Sequence, residues 1–464
     1  MKNLSLTSVA VLSTLLVFTP ARAEDIPRAD PEDVGLSSER LARFSAAIEK
    51  GVDAGHFPGV VAGVVRNGKL VFLESYGQRD KKAGVPMQDD TIFRMASMTK
   101  AVTGVAVMIL YEEGHFTLND PVSTYIPSFK DARALVNNGG GDKKSGNKKD
   151  KKDWSEHELK EWLAENWYDL SEEEQEKWLA VYNEKANAPK SDAETAPLNR
   201  QITIRDLLRH TAGISYNMGD IWVEGDDLEQ LVDKLAAQPM KSQPGTRFEY
   251  GLSMDVLARL VEVVSGQSYD VFLKERIFDP LDMQDTGFYV PKGQAERLVK
   301  MPQIDSAKGK GKVSKSDDDS YLSPPVILMG GTGLVSTTMD YLRFCQMLLN
   351  NGELYGSRIL SRKSVELMHA NHMNDVTDKT SGKSMEGDFL FGLTFGVKGN
   401  PGDTGALGSE GSYYWAGAYG TTFWIDPKEN LAGVFMVNGV EDKKEAGLYY
   451  GHMLEHFTYQ AIID

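Results

Sequence analysis

The sequence predicts an α/β fold, α+β in arrangement: one antiparallel sheet formed by both chain ends, with flanking helices and a helical lobe. Two β-rich runs near the start, 59–66 and 69–76, are joined by Asn67-Gly68, a pair that accepts the positive φ values of a type I′ turn. Near the end, 413–417, 421–426 and 431–438 read as three more short strands. Helix-period sequence fills the space between the two groups, so the strands must pair across the whole chain.

The elements follow in order. Residues 1–23 have the anatomy of a secretory signal peptide: Lys2, an apolar run over 4–18, then Ala21-Arg22-Ala23 before Glu24. The apolar run is shorter than the ~20 residues a membrane span needs. No cysteine follows it for lipid attachment, so cleavage after Ala23 and export to a periplasm or the medium are expected. The mature chain, 24–464, is expected to carry no integral membrane span and to form a single domain. Ser37 and Ser38 open an amphipathic stretch with Leu41, Phe44, Ile48 and Val52 at helical spacing. A helical insertion is expected at about 137–197. It begins with a solvated linker, 137–153, holding six lysines and three consecutive glycines. Capping boxes at Ser155/Glu158 and Ser171/Glu174 follow, with apolar stripes that include Leu159, Trp162, Trp178 and Val181. A helical hairpin packed on the body fits this pattern; a substrate lid and a membrane-surface contact are the sharper readings. A second linker, 306–319, alternates lysine with glycine and serine, and a final helix is expected over about 443–459.

Composition narrows the chemistry. Lysine and arginine total 51 against 67 acidic residues, a net charge of −16 that repels a phosphate backbone. Nucleic acid is therefore not an expected partner. Cys345 is the only cysteine, so no intrachain disulfide, redox pair or cysteine-rich zinc site can form. The eight histidines make no metal-ligand spacing, and His369 and His372 lie in a polar stretch, so neither metal nor cofactor is expected.

No G-x-S-x-G elbow occurs in the chain. Instead, Ser97-Met98-Thr99-Lys100 opens an apolar helix that stops at Gly114. A helix start puts the Ser97 hydroxyl near unpaired N–H donors, and a spacing of three places Lys100 one turn away on the same face. An ammonium enclosed by apolar neighbours loses hydration, so the Lys100 pKa is expected to fall until the amine can accept the serine proton. The same spacing at Ser145 and Lys148 sits in the linker, with no helix to hold it.

The segment 93–100, Phe-Arg-Met-Ala-Ser-Met-Thr-Lys, resembles the nucleophile motif of the serine β-lactamase and penicillin-binding protein superfamily. The resemblance runs on through 114–122, 202–213, Gln243-Pro244-Gly245, 330–337 and Phe391-Gly392-Leu393. It implies a β-lactamase/transpeptidase-like fold, a catalytic Ser97 and Lys100, and a catalytic tyrosine at Tyr250. A phenol beside an ammonium ionises more readily than a free one, which suits a general base that then acts as acid. The resemblance also makes His210 a structural residue.

Two departures point to the substrate. The family's Tyr-x-Asn is Tyr250-Gly251-Leu252 here, and no Lys-Thr-Gly occurs; the matching strand reads Trp415-Ala416-Gly417-Ala418. Trp415-Ala416-Gly417 is similar to the Trp-x-Gly of the β-lactamase-like (family VIII) carboxylesterases. The family's missing lysine helps to hold a substrate carboxylate, whereas an indole offers apolar area and one N–H. The expected reaction is ester cleavage of a small-molecule ester or acyl substrate through an acyl-enzyme on Ser97. Trp415, Gly417 and Leu252 are the expected substrate contacts, and the N–H groups of Ser97 and Ala418 the oxyanion hole. A β-lactamase or D-amino-acid peptidase with the same Ser-Lys-Tyr set is the alternative. An inactive envelope-binding homologue is the third reading. The sequence sets no oligomeric state.

Overall fold

A computed structural model describes residues 25–136, 194–219, 221–223, 225–301, 320–377, 390–439 and 447–464, with a few isolated positions between 159 and 181. The signal-peptide segment, both linkers and most of the helical block lie outside the described residues.

Eight antiparallel strands make the main sheet. They are β1 (Gly59–Arg66), β2 (Lys69–Asp80), β3 (Val85–Pro86), β4 (Leu390–Phe391), β5 (Gly396–Val397), β6 (Tyr413–Ala416), β7 (Thr422–Asp426) and β8 (Leu431–Val437). Their order is β4-β5-β6-β7-β8-β1-β2-β3, so the chain ends meet where β8 pairs with β1, from Val60 opposite Val437 to Arg66 opposite Leu431. β3, β4 and β5 escaped the sequence reading because two residues cannot display an alternation. The β1–β2 turn is as expected, with Asn67 at φ 52° and Gly68 at φ 72°. β1 is buried along its whole length, as a central strand covered on both faces must be.

Helices cover both faces. On the outer face lie α1 (Ser38–Asp53) and the terminal helix Gly447–Tyr459. The Ser37 hydroxyl caps α1 by accepting from the Arg40 N–H, and Leu41, Phe44 and Ile48 point inward. Phe44 meets Phe72 and Phe435 of the sheet at ring-centre distances of 5.8 and 6.4 Å. The inner face carries α2 (Thr99–Glu112), which is buried from Thr99 to Leu110. A helix apolar on all sides belongs in the middle of a core. It packs against α3 (Ser253–Ser265), while α4 (Thr338–Leu349) lies across β1 and β8. Gly114, at φ 80°, ends the α2 stretch as predicted.

A short antiparallel ribbon, Arg133–Leu135 with Thr195–Pro197, joins the two ends of the expected insertion. Within it, the rings of Trp162 and Trp178 meet at 5.5 Å and Leu159 is buried.

Candidate active site

Ser97 sits in a tight turn fixed from three sides. Ala96 has φ 44°, a left-handed conformation that costs a non-glycine residue energy and is kept only where packing enforces it. A 3₁₀ turn, Ala96–Met98, then leads into α2. The Tyr341 hydroxyl donates to the Met98 carbonyl at 2.9 Å, and the Met95 N–H donates to the Leu334 carbonyl at 2.8 Å. Ser97 is half-buried at the first turn, where N–H groups lack intrahelical acceptors.

Lys100 lies one turn further on and is 1% exposed. Its ammonium donates to Ser97 Oγ at 3.1 Å, to the Tyr216 hydroxyl at 3.0 Å and to the Gly331 carbonyl at 2.7 Å. Three donors thus meet three neutral oxygens, the full capacity of –NH₃⁺. Burial pulls its pKa down, as expected from the apolar helix. The facing oxygens of Tyr250 and Tyr216, with Asp255 behind them, more than reverse this, and the net shift is upward. The expected direction is therefore corrected: apolar neighbours on α2 were visible in the sequence, but the polar partners come from three distant segments. Lys100 is a charged donor in this site, not a free amine.

Tyr250 stands immediately before α3 with its ring 4.8 Å from the Lys100 nitrogen. The Trp415 indole N–H donates to the Tyr250 hydroxyl at 3.0 Å, and the two rings lie 5.4 Å apart. Trp415 is 7% exposed. The N–H expected to face substrate is therefore committed to Tyr250.

The profile of the family described as Beta-lactamase matches residues 44–455. The chain belongs to the beta-lactamase family. As a member of it, the protein is a serine hydrolase with the β-lactamase/transpeptidase-like fold. It is 31% identical to protein Rv1367c of Mycobacterium tuberculosis over 86% of this chain and 90% of that one. It is 24% identical to esterase EstB of Burkholderia gladioli, over 88% of this chain and 93% of that one. The solved structure of EstCE1, a hydrolase with promiscuous acyltransferase activity, superposes with a TM-score of 0.68 at 21% identity. That match covers 91% of this chain and 99% of the other.

Within this family fold, Gly417 follows β6 and lies against the turn that carries Ser97. A Cβ there would stand 2.4 Å from the Met95 carbonyl oxygen, so only glycine lets the strand come this close. Ala418 follows, exposed, and its N–H has no hydrogen-bond partner among the described residues. Leu252 is brought to the α3 start beside Tyr250, but its side chain is 1% exposed and packs in the core. His369 stacks on Tyr413 and His372 accepts from Arg205, so the two do not converge. No group of three or more His, Cys, Asp or Glu side chains placed to hold a metal occurs among the described residues. A cavity of about 1040 Å³ lined by Phe278, Phe288, Tyr289 and Leu328 is separate, since none of Ser97, Lys100, Tyr250 or Trp415 lines it.

Sequence reasoning missed Tyr216. Half of this residue is exposed, yet its hydroxyl reaches Lys100, and its ring meets that of Tyr250 at 5.7 Å. Burial of the hydroxyl end raises its pKa, against the pull of the Lys100 charge. The only signal was position, three residues beyond the 202–213 segment that the family resemblance had marked. His210 itself is fully buried at φ 56°, 4.7 Å from the Tyr250 ring; burial first, then the Lys100 charge, holds its imidazole well below its usual pKa.

Asp206 anchors the loop that carries His210 and Tyr216. Its carboxylate accepts from Arg200 at 2.9 Å, Arg209 at 3.2 Å, and the Thr203 and Thr211 hydroxyls at 2.7 and 3.1 Å. Burial alone would raise its pKa, but Arg200 and Thr203 outweigh it and hold it low. A depressed carboxylate stabilises the fold above the unfolded value and loses that contribution as pH falls through the folded one. Asp206→Asn is expected to cost about 3 kcal/mol at pH 7. Thermal melts should show the gap to wild type narrowing below pH ~4.

Proposed function

We propose that the protein is an exported carboxylesterase that works through an acyl-enzyme on Ser97. Ser97 Oγ attacks the ester carbonyl, forming the new C–O bond while its proton passes to the Tyr250 oxygen. The N–H groups of Ser97 and Ala418 hold the developing oxyanion. The alkoxide then leaves with the proton returned from Tyr250, and water repeats the sequence to release the acid and free Ser97. Lys100 remains an ammonium throughout, aiming Ser97 and offsetting the negative charge as it passes from the Tyr250 oxygen to the substrate oxyanion and back.

The observation that carries the ester reading is the Trp415–Tyr250 hydrogen bond. Where the β-lactam-cleaving pattern has a cation for a substrate carboxylate, this site has a buried indole turned to the general base. A neutral acyl substrate meets no penalty there, whereas a carboxylate meets apolar surface. The name of EstB, an esterase, supports the same reading.

The test is hydrolysis of p-nitrophenyl butyrate by purified 24–464, beside Ser97→Ala. Turnover that disappears in the variant is the expected result. Silence toward the ester combined with nitrocefin cleavage would sink the esterase reading. Export is checked separately by the intact mass of protein recovered from a periplasmic extract, expected to begin at Glu24.

A further inference from the structure

The loop 330–334 threads between α2 and α3, and two glycines make this passage possible. A Cβ on Gly330 would lie 2.1 Å from the Met254 carbonyl oxygen. The Gly330 carbonyl accepts from the Thr103 hydroxyl at 2.6 Å, and the Leu334 N–H donates to Thr99 Oγ1 at 3.3 Å. At the centre is Gly331. Its carbonyl accepts from Lys100 at 2.7 Å, and its N–H donates to the Asp255 carboxylate at 3.0 Å. A Cβ on Gly331 would be 3.1 Å from Asp255 Oδ2 and 3.4 Å from Lys100 Nζ. One peptide unit therefore bridges the two charged groups, and any side chain on it would intrude between them.

Asp255 is 1% exposed, and its Oδ2 has no hydrogen-bond partner among the described residues. The ammonium and carboxylate make no direct ion pair, and no described carboxylate pairs directly with Lys100. An isolated buried carboxylate is costly, so its position against an equally buried ammonium needs a reason beyond folding.

We propose that Asp255 is a positioning residue for catalysis: acting across Gly331, it is the countercharge that keeps Lys100 protonated and aimed at Ser97. The other titratable groups around the pair are Tyr216 of the preceding loop, Tyr250 ahead of α3, Tyr269 beside Thr103, and the buried His210. Glu262 lies further along α3, where it acts on Tyr269. Asp255 thus supplies a negative charge to Lys100 from across Gly331, and the same charge also reaches Tyr216 and Tyr269. Burial raises its own pKa to about 6, so the charge is present at neutral pH and lost in acid. The inference rests on Ser97 being the nucleophile of the proposed esterase.

The test uses Asp255→Asn, which keeps an acceptor for the Gly331 N–H and removes the charge. The readout is the rate at which a fluorophosphonate probe labels Ser97 across pH, followed by intact mass, so no ester substrate is assumed. Removing a negative charge makes nearby protons easier to lose. The whole pH profile is then expected to move about one unit toward acid. The maximal labelling rate should fall at least tenfold, while the melting temperature at pH 8 stays level or rises. A profile that keeps its wild-type position, or a melting temperature that drops together with the rate, would overturn the inference. Should Asp255→Asn not fold, Asp255→Ser is read the same way, and failure of both would make the residue structural. Unlabelled wild type would instead overturn the nucleophile assignment, and this inference with it.

Discussion

A Lys100→Met variant is expected to lose about a thousandfold in kcat, the scale of a removed preorganised electrostatic donor. Methionine fills most of the lysine's volume among the apolar side chains of α2 but donates nothing. Ser97 Oγ, the Tyr216 hydroxyl and the Gly331 carbonyl each lose a donor at once. The variant should also lose about 3–5 kcal/mol at pH 8, the cost of leaving one buried charge without its counterpart. The sign of the pH dependence follows from Asp255. Burial first, offset by Lys100, sets its pKa at about 6 in the wild type, and removing Lys100 raises it further. A carboxylate with a raised folded pKa costs the native state more as pH increases through that value. Thermal melts of the variant should therefore improve from pH 8 to pH 5.5, while activity stays absent throughout.

Tyr250→Phe should separate the two tyrosines. The phenyl ring keeps the packing against His210, Tyr216 and Trp415, so the melting temperature should change little apart from the Trp415 N–H left without its acceptor. The catalytic loss should be about a hundredfold to ten-thousandfold in kcat, the range for a general base. Tyr216→Phe removes a hydroxyl that touches Lys100 and leaves the Trp415–Tyr250 pair intact. A loss of about tenfold is expected for it, the worth of one hydrogen bond to a charged group. Steady-state kinetics on one ester with both variants decide the assignment. Equal losses, or the larger loss in Tyr216→Phe, would transfer the base role to Tyr216.

Much of the fold was legible because its signals are local. Asn67-Gly68 specifies a hairpin through backbone conformation alone, and Leu41, Phe44 and Ile48 mark the buried stripe of α1 through their spacing. The pairing of β1 with β8 could be expected, since five strand-like runs at two chain ends must bury a common face. Two-residue strands such as Leu390–Phe391 were not legible. They exist because neighbours supply their hydrogen bonds, a property of the sheet rather than of the segment.

The candidate site divides along the same line. Ser97, Lys100 and Tyr250 were visible because the chemistry needs those residue types in motifs that survive as short words, and Trp415 because it stands where a lysine was expected. Their electrostatic state was not visible. The apolar sequence of α2 predicted a lysine depleted of charge, whereas the folded chain surrounds it with oxygens from Tyr216, Gly331 and Ser97 and places Asp255 behind. Desolvation is a property of one helix and can be estimated from its residues. Compensation depends on groups that lie 116 and 231 residues away along the chain, at Tyr216 and Gly331. Sequence by itself pointed to the fold, the family and the candidate nucleophile; only the tertiary structure decided that Lys100 is a held cation, that Trp415 serves Tyr250, and that Asp255 stands across Gly331. The reason is physical: hydrogen bonds and Coulomb forces act over a few ångströms of space, whatever the separation along the chain.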